Sequence, residues 1–146
     1  NEEILRGSEI FGKSIDYQLV MIDEEAEILT RKLNVIYVSA NTINACHCFS
    51  DDILIHELVH IWQYQNFGAG YIACALKAQK SKAGYNYTYD EDWYLKPSIL
   101  HFNAEQQGDL VQDYYRIKNG LRPDWGHATK KNLPLYERFI AQIRDI

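Results

Sequence analysis

Apolar positions recur along the chain in two rhythms, one helical and one extended, and most of the chain follows the helical one. Residues 2–11 carry Ile4, Leu5, Ile10 and Phe11 at helical spacing behind an acidic first turn, with Gly12 as a stop, and predict a short helix. Residues 17–22 and 34–39 are brief runs of β-branched and aromatic side chains separated by polar segments. They predict two strands of a small sheet, with a weaker third at 42–47. Ser50, Asp51 and Asp52 then place capping oxygens and negative charge directly before an apolar run, and a helix is predicted over 53–67. Residues 68–100, with Gly68, Gly70, Gly84 and Pro97, read as a long excursion of the kind that lines a cleft, with a short helical piece at 73–79. Two more helices follow, at 103–119 with Gly120 closing it, and at 133–146 with Leu135, Phe139, Ile140 and Ile143 on one side. The predicted class is α+β, mostly helical, with a short sheet preceding the central helix.

Composition narrows the classes of function. At 146 residues, 47% hydrophobic and 24% charged, the chain suits one soluble domain over 1–146 and leaves no room for two. Fifteen basic against twenty acidic side chains, a net charge of −5, exclude a broad surface for nucleic acid or an anionic membrane. Three cysteines cannot build a disulfide framework. Residues 58–76 lack Asp, Glu, Lys and Arg over a length that could span a bilayer, but His60, Gln63, Gln65 and Asn66 make hydrocarbon a costly setting; a buried helix and a turn are expected instead. The chain opens on Asn1 and its single Met is Met21, which points to a processed protein or a segment of a longer one; no signal peptide is visible, so synthesis in the cytoplasm with export by a specialised route is the expectation.

The chemistry sits in the best helix. In His56-Glu57-Leu58-Val59-His60 the two histidines project from one face a turn apart, close enough to share a metal ion, and Glu57 lies about 100° around the helix, within reach of a metal-bound water. Apolar residues cover nearly every other direction, so these polar groups are buried and need partners. A catalytic zinc takes three protein ligands. The pattern that adds a later Gly and His is absent, since Gln63 and Asn66 hold those places. The start of the next long helix offers Glu105 and, one turn on, Asp109: Glu105 as the third ligand, Asp109 as acceptor of an imidazole N–H.

A His-Glu-x-x-His helix followed by a Glu-x-x-x-Asp helix resembles the gluzincin branch of the zincin metallopeptidases. The resemblance covers roughly residues 53–67 and 103–119. It implies a Zn²⁺ site of His56, His60 and Glu105, Glu57 as general base, Asp109 behind the ligands, and a peptide or protein substrate. The stretches from His56 to Gln63, Asn103 to Tyr115 and Phe11 to Tyr17 resemble, more narrowly, small bacterial zincin-like proteins related to Rhs and Vgr components of secretion systems. That implies a secretion-system effector or accessory. Three departures matter: 45 positions separate His60 from Glu105, the chain is too short for a second lobe, and no motif assigns a transition-state donor among Tyr85, Tyr87, Tyr89, Tyr94, Tyr114, Tyr115, His101 and His127.

Two alternatives keep the sequence but not the enzyme. A zincin-like module with a structural metal and a fourth protein ligand such as His101 or His127 would serve docking, and a metal-free core would leave His56 and His60 merely hydrogen-bonded. Cys46-His47-Cys48 lacks the spacing and the second half of a zinc site and reads as ordinary cysteines. The tyrosines of 85–94 form either a wall for an extended peptide or plain loop packing, and Asp90-Glu91-Asp92 reads as a solvated turn.

Overall fold

A computed structural model of the chain describes residues 2–71, 80, 82 and 84–146. In chain order these form α1 (Glu2–Phe11), β1 (Met21–Asp23), α2 (Thr30–Leu33), β2 (Tyr37–Ser39), β3 (Thr42–Asn44), α3 (Asp51–Phe67), α4 (Ala104–Lys118) and α5 (Leu133–Arg144), with three short 3₁₀ turns at Trp93–Leu95, Ile99–His101 and Lys130–Asn132. The class is α+β and mostly helical, and the sheet precedes α3 in the chain, as predicted. The helical piece expected at 73–79 lies outside the described residues. No helix among the described residues is long and apolar enough to cross a membrane.

The sheet runs β1-β3-β2, with β3 parallel to β1 and antiparallel to β2. Its strands are shorter than the apolar runs that predicted them. Asp16 turns the chain at the start of the first run, accepting the Gln18 N–H at 3.0 Å, while Leu19 and Val20 bond back to Asp16 and Tyr17; a local carboxylate outcompetes the ladder until Met21. In the second run, Asn34 has φ 52° and ends the one-turn helix α2, which the sequence pattern did not predict, so pairing begins only at Tyr37. Ile43 on the central strand is fully buried and joins the sheet to the helical core.

Helix α3 packs against α4 and α1, and these two in turn hold α5. Helix α3 begins at Asp51, two residues before the predicted start, with Ser50 at the N-cap in extended conformation, and its principal neighbour is α4. A reciprocal capping box starts α4: the Asn103 side chain accepts the Gln106 N–H at 2.9 Å and Gln106 Oε1 accepts the Asn103 N–H at 3.1 Å. This fixes where the first turn, and Glu105 within it, begins. On α5 the buried face is Tyr136, Phe139, Ile140 and Ile143. Leu135, predicted to face the core, is exposed; Tyr136 sits at the i−3, i−4 and i−7 spacing from the other three and takes its place.

Candidate metal centre

The polar residues of α3 are buried because the helix is packed on nearly all sides. His56, Glu57 and Gln63 lie among Leu54, Ile55, Val59 and Trp62. The His56 and His60 rings stack edge to face with centroids 5.1 Å apart, as the one-turn spacing predicts. From α4, Glu105 Oε2 approaches both Nε2 atoms at 3.5 Å. These three side chains can offer ligand atoms all within 4.8 Å of one another.

Each imidazole is oriented from behind. His56 Nδ1 lies 2.9 Å from Asp109 Oδ1 and 3.1 Å from Gln112 Oε1, and His60 Nδ1 lies 2.8 Å from Gln63 Oε1. The amides that receive these bonds have their own orientation set. Gln63 Nε2 donates to the Ala104 carbonyl at 3.0 Å and Gln112 Nε2 to Asp52 at 3.1 Å, so each turns its oxygen to the imidazole. Acceptors therefore face both Nδ1 positions, and both Nε2 atoms face Glu105. Asp109 faces His56 Nδ1 from α4; Gln63 and Gln112 carry no motif, although Gln63 follows His60 by three residues and Gln112 follows Asp109 by three.

Gly108 is a further member that no motif marks. A Cβ there would lie 2.7 to 3.0 Å from three atoms of the His56 ring, so the close crossing of α3 and α4 requires its absence. A glycine inside an apolar helical pattern was the available signal.

Electrostatics match the geometry. Burial acts to lower both imidazoles, but bonds to Asp109 and Glu105 at His56, and to Glu105 at His60, outweigh it and raise both pKa values. Burial works to raise Glu105 as well, yet the two imidazoles hold it well below the usual carboxylate range. Glu57 is raised by burial, partly offset by His56 and His60. Three carboxylates around two imidazoles form a pocket that a divalent cation would neutralise.

The cluster opens into a cavity of about 500 Å³. It is lined by His56, Glu57, His60, Glu105 and Tyr85, and also by Asn34 to Val38, His47 and Ile53. Of the tyrosines and histidines considered as donors, Tyr85 alone lines it, with its ring centroid 6.3 Å from that of His56. Tyr87 is in the core with its hydroxyl on Asp113, Tyr114 is buried, Tyr115 reaches Asp51, and Tyr89, Tyr94, His101 and His127 are on the surface. The segment 85–94 thus gives the cavity one tyrosine and the core another, Tyr87, while Tyr89 and Tyr94 stay on the surface. His47 lines the cavity although Cys46 and Cys48 are free thiols away from the cluster.

No family model matches the chain, and no solved structure matches it significantly. The chain is 29% identical to the Type VI secretion system spike protein VgrG2b of Pseudomonas aeruginosa, over an alignment of 162 positions that takes in 98% of this chain. It spans 14% of the length of that protein. The similarity links the chain to a bacterial secretion-system component.

Proposed function

We propose that the chain is a zinc-dependent metallopeptidase module of gluzincin type, carried by or delivered with a secretion-system spike. The observation that carries this reading is the convergence of two buried imidazoles, both tethered at Nδ1, on one carboxylate, with a second carboxylate, Glu57, beside them at the cavity. The donor set fits the metal: two neutral nitrogens and one carboxylate oxygen are the ligands of a catalytic zinc that keeps a position for water. His56, His60 and Glu105 would hold the ion. Bound there, zinc would supply Lewis acidity toward a carbonyl and would lower the pKa of a bound water to about 7.

The chain's own groups divide the remaining work. Glu57, its pKa raised by burial, takes a proton from the attacking water and returns it to the departing amine nitrogen. Tyr85, pushed up to about 12 by burial and by the nearby carboxylates, keeps its proton at neutral pH and donates a hydrogen bond to the oxygen on which charge develops. Val35, Ile36, Val38 and Ile53 give the cavity an apolar surface suited to a side chain of the substrate. The docking alternative needs a fourth protein ligand, and the two candidates that the sequence offered, His101 and His127, do not line the cavity. The link to a spike protein rests on the similarity to VgrG2b.

Metal analysis and one substitution test the proposal. Purified protein is expected to hold about one zinc per chain, and Glu57→Gln to keep it while losing proteolysis by about 10²- to 10⁴-fold. Unchanged proteolysis in that variant removes Glu57 as the base, and absence of zinc after reconstitution removes the centre.

A further inference from the structure

The two acceptors behind His56 are both held by one loop. Asp109, Gln112, Asp113 and Arg116 follow one another along a single stripe of α4, and the chain that leaves α4 doubles back along this stripe. At the far end Arg116 Nε donates to the Arg122 carbonyl at 2.7 Å and its guanidinium pairs with Asp124 at 3.0 Å. One turn nearer, Asp113 accepts the backbone N–H groups of Asp124 and Trp125 at 2.6 and 3.0 Å, and Gln112 Nε2 reaches Asp124 Oδ2 at 3.3 Å. At the last turn before Glu105, the Trp125 indole N–H donates to Asp109 Oδ2. The other oxygen of Asp109 is the one 2.9 Å from His56 Nδ1.

We propose that Trp125 is a positioning residue of the metal centre, acting through Asp109 on His56, and that the loop of residues 121–126 is folded back on α4 to hold it there. This rests on the metal reading above. With its Oδ2 occupied by the indole, Asp109 keeps Oδ1 toward the imidazole, and consecutive loop residues, Asp124 and Trp125, restrain both acceptors at once. The consequence is a His56 ring fixed before metal arrives, so less ordering remains when the ion binds.

Trp125→Phe removes the N–H and keeps most of the ring. The zinc dissociation constant, measured by competition with a chromophoric chelator, is expected to rise about 10-fold, the lower end of what loss of such outer contacts causes. The visible spectrum of the Co²⁺-loaded variant should shift, while metal-free melting and far-UV circular dichroism stay near those of the wild type. In an Asp109→Ala background the same change should add nothing, because its route to His56 is gone. Asp124→Ala, at an exposed position, removes one of the two carboxylates that hold the Gln112 amide, Asp52 being the other, and should weaken zinc by about 3-fold, a smaller effect because Asp109 remains held. Wild-type zinc affinity in Trp125→Phe overturns the proposal, as does an undiminished effect in the Asp109→Ala background, or a drop in metal-free melting with affinity unchanged. A wild-type chain that takes up no zinc overturns the metal reading and this inference with it; a wild type that binds beside an unaffected Trp125→Phe overturns this inference alone.

Discussion

At Gly108 two opposing effects act on one atom. Alanine in a helix interior is favoured over glycine by about 1 kcal/mol, yet the added Cβ would meet the His56 ring at 2.7 to 3.0 Å. That ring is no free end, because Asp109, Gln112 and Glu105 hold it on both nitrogens. Overpacking against a fixed group costs about 1 to 3 kcal/mol, so the clash outweighs the propensity. Gly108→Ala is expected to lower stability in urea by about 1 kcal/mol and zinc affinity by about 10-fold or more; a stabilised variant with intact zinc binding would show that the ring yields. The site was legible in the sequence where its chemistry is local. His56, Glu57 and His60 announce themselves by spacing on one helix, and Glu105 with Asp109 by spacing on another. Gln63, Gln112, Gly108 and Trp125 do not, because an amide, a missing Cβ or an indole acquires a role only when two helices and a loop meet.

At the scale of elements, Asp113 ties three pieces together. It accepts the Tyr87 hydroxyl at 2.8 Å and the backbone of the loop after α4, and Tyr87 in turn bonds Tyr136 of α5 at 2.7 Å. Burial pushes its carboxyl up to about 6, against the donors that pull it down. A carboxyl with a folded pKa above its unfolded value is better tolerated protonated. The stability it contributes is full below about pH 4 and is lost as pH rises through about 6, a change of roughly 3 kcal/mol for a shift of about two units. Asn at this position does not titrate. Compared with Asp113→Asn, the wild type should therefore lose stability between about pH 4 and pH 7 in urea unfolding, and a difference independent of pH would exclude a raised Asp113. Element boundaries followed the same logic of local competition. The helices were readable from periodicity, whereas β1 and β2 were overextended because Asp16 and Asn34 redirect the backbone inside runs that are apolar enough for strands.

On the scale of the whole molecule, the question is what the centre contributes to a chain that already has a core. Ile55, Val59, Trp62, Leu110, Phe139 and Ile143 belong to a buried apolar cluster separate from His56, His60 and Glu105, and α1, α3, α4 and α5 meet through that cluster. Residues 34–38 line the cavity from within the chain. Zinc would bridge α3 and α4, the pair that meets most extensively, and act by linkage: at a free concentration one hundred times the dissociation constant it adds about 2.7 kcal/mol. For a chain of this length that corresponds to a melting shift of about 5 to 10 °C. Chelation of the loaded protein should lower the melting temperature by that amount and leave the far-UV spectrum helical, unlike a zinc finger, whose fold depends on its metal. Calorimetry with and without chelator measures both. Collapse of the helical signal on chelation would mean that the centre, and not the apolar core, holds the helices together; no shift at all would mean that the three ligands do not take up the ion.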